Sequence, residues 1–179
     1  VNHVILKEFH VETKTPYFTD YTKQYTNLPF LVVLDEQDDG EYLSGRFLRA
    51  SDIAEYAGEE NAEWKMPMFD AAGDLRLPGG SVGFRWENEK QGRWNLKNED
   101  VTTGQVFDPL LTCLDSNHDA VQVKFADFTD TFDTELGTTP DKGRMATGNS
   151  RGVPTRTVTT ADGKTIRVTT AYDLMLAQF

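Results

Sequence analysis

Three histidines and one cysteine are the residues whose types could most readily do chemistry in this 179-residue chain. His3 and His10 lie in VNHVILKEFH, seven positions apart. On one helix that is two turns, about 10 Å along the axis, too far for both to bind one metal ion. Glu8 lies between them but completes no known ligand spacing, so two ordinary helix histidines outweigh a metal site. His118 sits in the acidic, turn-like stretch DSNHDA, where a solvated loop residue is the ordinary reading. Cys113 follows PLLT and reads as a small buried apolar side chain. A Cys113–His118 nucleophile pair can be drawn, but no further motif supports it. A lone cysteine excludes an internal disulfide and any multi-cysteine metal or cluster site built from this chain alone, and it leans weakly towards a reducing compartment.

Other constellations are equally sparse. No glycine-rich phosphate fingerprint is present, and Gly80-Ser81-Val82-Gly83 does not approach one. No Gly-x-Ser-x-Gly elbow occurs. Arg46 and Arg49 in GRFLRASD are the best polar candidates for holding an anion, against an equally good reading as a solvated strand face or a salt bridge. Trp86 and Trp94 flank a turn and could stack on a sugar, although such pairs are more often core contacts across strands. Carboxylates are too abundant for any pair, such as Glu59-Glu60 or Asp38-Asp39, to be diagnostic; those two read as solvated. The net charge of −11 disfavours nucleic acid and anionic lipid as partners. No apolar run approaches the roughly 18 residues of a membrane helix, and no signal peptide is visible.

The elements that must position these residues read as an α+β fold of mostly antiparallel hairpins with short flanking helices. Residues 1–10 form a helix tail. Thr15 and Pro16 start a second helix with Phe18, Tyr21 and Tyr25 on one face. FLVVL, 30–34, is a buried strand, and DEQDDGEY turns it back into a partner at 41–50. Ser51 caps a short helix ending at Gly58. MPMFD and LRLP flank the AAGD turn as strands. SVGFRWE alternates as a strand, NEKQG turns, RWNLKNED returns, and AVQVKFADF at 120–128 alternates again. Residues 129–153, rich in Thr, Gly, Asp and Ser, read as a long surface loop. TRTVTTADGKTIRVTT is the clearest hairpin. Thr170 and Asp173 then open a helix in a capping-box pattern, with Tyr172, Met175, Leu176 and Phe179 as its apolar stripe.

The hydrophobic share of 38% and mean hydropathy of −0.53 suit a polar, loop-rich globular piece that packs against other parts. The chain opens on apolar Val1, Val4, Ile5 and Leu6 without an initiator Met or a cap, and closes on Phe179 within an unfinished helical stripe. These features predict that residues 1–179 are an internal segment of a larger multidomain protein.

Several stretches together resemble the catalytic alpha subunit of respiratory nitrate reductase: HVILKEFH, TPYFTDYTKQYTNLPFLVVL, GRFLRASD, GEENAEWK, GSVGFRW, GRWNL and TTAYDLMLAQF. They occur in that family's order and cover nearly the whole chain, with 129–153 the least matched part. The resemblance implies a molybdenum enzyme of the dimethyl-sulfoxide-reductase type, carrying a bis-molybdopterin guanine dinucleotide cofactor and a 4Fe-4S cluster. It would reduce nitrate to nitrite in anaerobic respiration. An iron–sulfur beta subunit and a membrane haem gamma subunit would be its partners and hold it at the membrane, on the cytoplasmic face. The family's cluster ligands and molybdenum carboxylate lie upstream of the matched part, so no catalytic residue or metal ligand carries over. The resemblance places His3 nearest the pterin. The segment itself would be scaffold and subunit interface. A nitrite oxidoreductase alpha subunit is the close alternative; a non-catalytic β-rich binding module using Trp86 and Trp94 is the alternative from another class.

Overall fold

A five-stranded closed β-barrel with helices at its two chain ends organises the protein, as seen in a computed structural model that describes residues 2–79, 97–125 and 150–178. The side chains of Asn2 and His3 lie outside that description. Helix α1 (Asn2–Leu6) runs on through a π-helical stretch, Lys7–Glu12, and α2 follows over Pro16–Tyr25. Pro16 stands at the helix start, where its missing N–H costs nothing.

Strands β1 (Leu31–Glu36) and β2 (Tyr42–Phe47) form the expected antiparallel hairpin, with Gly40 supplying the positive φ of the turn. Two small two-stranded sheets follow. One pairs β3 (Met68–Phe69) with β4 (Leu75–Arg76), and the other pairs β5 (Pro78–Gly79) with β6 (Lys97–Asp100). Then come β7 (Asp119–Lys124), β8 (Ser150–Thr159), β9 (Thr165–Thr170) and helix α3 (Ala171–Gln178). β7, β8 and β9 form an antiparallel meander, and β9 also pairs with β1, Leu31 opposite Thr170. The barrel closes where β2 meets β7 in parallel, through the single pair Tyr42 and Val123.

The architecture is mixed α+β, as the patterns predict, and both long hairpins stand where the sequence puts them. The apolar run of β1 is buried at Leu31, Val32 and Leu34 because neighbours cover it on both faces. The main core gathers Leu31, Leu48, Ile53, Tyr56, Phe69 and Val168. A second cluster joins Leu6, Leu111 and Tyr172, so α1 and α3 share one interior. The Tyr172 hydroxyl donates to the Leu6 carbonyl, and its N–H reaches Leu28 O at 2.9 Å.

Four expectations need correction. Residues 51–58 form no α-helix: one 3₁₀ turn spans Ala50–Asp52, another spans Ala62–Trp64, and Asn61 between them is left-handed at φ 57°. Asp52, not Ser51, closes the turn, accepting the Arg49 N–H at 2.8 Å. The bidentate Arg46 guanidinium fixes that carboxylate at 2.6 and 2.8 Å, so the chain is tied to β2 before a helix can propagate. The long loop also ends early, because Ser150–Val153 pair with β7 as the start of β8. On α2, Tyr21 and Tyr25 face outward with Tyr17, while Thr22 takes the buried position. On α3, Met175 is exposed.

Residues 129–149, the 81–87 strand with Trp86, the NEKQG turn, Trp94, residues 126–128 and Phe179 lie outside the described residues.

Candidate functional site

The π-helical stretch, α2 and the 108–115 segment line a cleft of about 400 Å³, with His10, Lys14, Thr19, Lys23, Asp108 and Asp115 among its walls. His10 is 1% exposed and packs edge-on against the Tyr172 ring at 5.4 Å. Its Nδ1 lies 2.9 Å from Thr19 Oγ1. Its Nε2 has no hydrogen-bond partner among the described residues and stands 3.6 Å from Asp115 Oδ2. A carboxylate facing Nε2 favours the tautomer with the proton on that nitrogen, so Nδ1 accepts from the Thr19 hydroxyl. Burial first, then the nearby Lys14 ammonium, push the imidazole down to about 4, against the opposing pull of Asp115. His10 is therefore neutral at physiological pH. Lys14 is bonded to Asp115, and Lys23 to Asp108 at 2.7 Å, so each rim cation already holds a carboxylate.

A second cluster is fully interior. Asp173, 1% exposed at the start of α3, accepts from the Thr112 hydroxyl at 2.5 Å, the Cys113 N–H at 2.8 Å and the Thr170 hydroxyl at 2.9 Å. Its own N–H donates to Thr170 Oγ1 at 3.0 Å, the cap predicted from sequence. Burial pushes this carboxyl up to about 6, although the donors pull the other way. Cys113 is fully buried, and burial together with the Asp173 charge pushes its thiol far up. A thiol so held is no nucleophile. His118 is not its base: the ring is exposed and its Nδ1 contacts Ser116 O at 2.9 Å.

The remaining candidates resolve into structural roles. Arg46 is committed to Asp52, and Arg49 is exposed beside the same carboxylate. Asp39 holds Lys124 of β7, and Glu59 lies 3.5 Å from Lys65, so neither is merely solvated. His3 lies on α1, and the structure describes nothing of its side chain. Sequence reasoning missed Asp70 and Asp100, both buried. Asp70 Oδ1 accepts the Ala72 and Asp74 N–H groups at 2.9 Å, and Asp100 Oδ1 accepts those of Thr102 and Thr103 at 2.9 and 3.0 Å. The signal for both is a leading Asp three or four residues before a left-handed Gly, Gly73 or Gly104. These carboxylates are satisfied by turns and stand ready for no ligand.

Among the described residues, no group of three or more His, Cys, Asp or Glu could hold a metal ion, and no helix is long and apolar enough to cross a membrane. The described side chains build a closed barrel whose buried carboxylates are held by backbone and hydroxyl donors.

No family model matches the chain. Comparison with curated proteins is decisive. All of this chain aligns with the respiratory nitrate reductase 1 alpha chain of Escherichia coli K12, 39% identical over 184 residues, covering 14% of that protein. It aligns equally completely with the nitrate reductase alpha subunit of Mycobacterium tuberculosis H37Rv at 35% identity and the nitrate reductase alpha chain of Bacillus subtilis 168 at 32%, covering 13% of each. The chain is thus a relative, over its whole length, of one stretch of the nitrate reductase alpha chains, and spans about one seventh of their length.

Proposed function

We propose that this chain is an internal segment of the catalytic subunit of a molybdenum-dependent nitrate reductase. That subunit reduces nitrate to nitrite and water, consuming two electrons and two protons, in anaerobic respiration. The observation that carries the reading is the full-length alignment of this chain with one stretch of alpha chains from distant bacteria. The whole subunit holds a bis-molybdopterin guanine dinucleotide and a 4Fe-4S cluster, whose metal ligands lie outside this chain. Such a centre supplies the oxygen-atom transfer and the electron path; the segment supplies framework and interface. An iron–sulfur beta subunit and a membrane haem gamma subunit bring electrons and hold the assembly at the membrane, on the cytoplasmic face.

Within the segment, His3 is the residue beside the pterin. His3 lies on α1, about two helical turns before His10 in the same continuous helical stretch. The test uses the full-length subunit purified with its partners. It should contain molybdenum and iron and reduce nitrate with a reduced viologen dye. His3→Ala should lower retained pterin and shift the molybdenum electron-spin-resonance signal, with the fold unchanged by circular dichroism. A metal-free parent protein would overturn the enzyme reading. Unaltered pterin content and spectrum in His3→Ala would overturn the assignment of His3 alone.

A further inference from the structure

The N-terminal helical layer presents a face that the barrel does not use. Tyr17, Tyr21 and Tyr25 stack in register along α2, with ring centroids 6.3 and 5.1 Å apart and planes within 24° and 23° of parallel. All three are exposed, Tyr17 at 82%. Val4, Ile5 and Phe9 are exposed on the preceding helical stretch, and the Phe9 ring lies 6.4 Å from Phe18 of α2. Of the eleven large apolar side chains exposed among the described residues, six belong to residues 4–25. Exposed apolar patches of this kind mark contact surfaces, and tyrosine suits them because it gives a large rigid area with a polar tip.

Charge sets this face apart again. Lys7, Lys14 and Lys23 balance Glu8, Glu12 and Asp20, so residues 1–25 are neutral by formal charge and the net −11 belongs to the rest of the chain. Acidic surface keeps proteins apart, whereas a neutral aromatic face lets one settle. The balance also excludes nucleic acid and anionic lipid, which need a basic surface.

We infer that the tyrosine face of α1–α2 is an intrasubunit docking surface, covered by another segment of the same polypeptide that is neutral and apolar. The occupant is assigned to the same chain because the related alpha chains carry this stretch as 14% of one continuous polypeptide. The inference rests on the reading of this chain as part of such a subunit.

The experiment is tyrosine nitration of the full-length parent subunit, free of partner chains, with peptide mapping of Tyr17, Tyr21 and Tyr25. Native nitration of all three should be slower than in urea by about ten-fold or more. Nitration at the unfolded rate in the free subunit overturns the inference. That includes the case where protection appears only when partner subunits are added, since a different chain would then be the cover. Tyr21→Lys in the same subunit should speed nitration of Tyr17 and Tyr25, and unchanged protection there would also refute the docking. Sequencing the gene separates this failure from that of the parent reading. If the gene encodes these 179 residues alone, the proposed function falls with it; if it encodes a long subunit whose tyrosines nitrate freely, the docking surface alone falls.

Discussion

Removing the Asp173 carboxylate should destabilise the barrel more than removing any exposed charge. Its oxygens accept from Thr112, Cys113 and Thr170 at 2.5, 2.8 and 2.9 Å, tying the 112–113 segment to the start of α3. In Asp173→Ala the two hydroxyls can rotate to other acceptors. The Cys113 amide cannot, because its direction is fixed by the 3₁₀ turn Cys113–Asp115. One stranded amide, the lost charge-assisted bonds and a small void together amount to about 3 kcal/mol, even after crediting the relief of a buried charge. The helix cap itself survives in part, since the residue 173 N–H still reaches Thr170 Oγ1. Urea unfolding followed by far-ultraviolet circular dichroism measures the loss, with equal slopes confirming that only stability has changed. A loss below about 1 kcal/mol would refute the view that this carboxylate staples the fold. The pH dependence gives an independent sign. Burial raises the carboxyl from 3.8 to about 6 in the folded state. The folded protein then holds that proton more tightly than the unfolded one. The stabilising contribution is complete below the unfolded value and is lost as pH rises through about 6. Wild type should gain stability relative to Asp173→Asn as pH falls from 7 to 4. A change in the opposite direction would mean that the three donors outweigh burial.

Four further outcomes are expected. The His10 ring carbons should show no titration shift in nuclear magnetic resonance between pH 8 and 5.5, because the imidazole is pushed down to about 4; its contribution to stability is present above the unfolded value near 6.5 and is lost as pH falls towards 4. Cys113 should resist an aromatic disulfide reagent in the native protein and react stoichiometrically in urea; fast native labelling would contradict its complete burial. Gly73→Ala should cost roughly 1–3 kcal/mol by thermal or urea unfolding, since φ is +89° and an added Cβ meets the Arg156 guanidinium stacked over Phe69. The isolated 179-residue chain should be marginally stable or prone to aggregate, because its aromatic helical face is uncovered; a sharp transition at high temperature would count against this.

What could be read from the sequence divides along the range of the forces involved. The β1–β2 and β8–β9 hairpins were legible because a turn glycine and flanking apolar residues are local signals. The Thr170–Asp173 cap was legible for the same reason, and so was the inert character of Cys113 and His118. Closure of the barrel was not legible, since the pairings of Leu31 with Thr170 and of Tyr42 with Val123 are set by packing and leave no short-range pattern. The helix expected at 51–58 failed because a tertiary tie, Arg46 to Asp52, overrode a plausible cap. His10 looked like an ordinary helix histidine; only the fold shows that Tyr172, from the far end of the chain, seals it from solvent. The relationship to nitrate reductase alpha chains lay in many short, individually weak blocks whose order is specific, and alignment along the whole chain bears it out.

The pairing of β1 with β9 has a consequence for how the protein is made. A ribosome releases Leu31–Glu36 long before Thr165–Thr170, so the first strand emerges with one of its two edges unfilled. β2 can cover one edge at once, but the other waits for the last strand. Contacts so distant in sequence close slowly, and an apolar strand with a free edge is where nascent chains stick to one another. The interval between synthesis of β2 and of β9 is therefore the stage at which this chain most needs a holding chaperone.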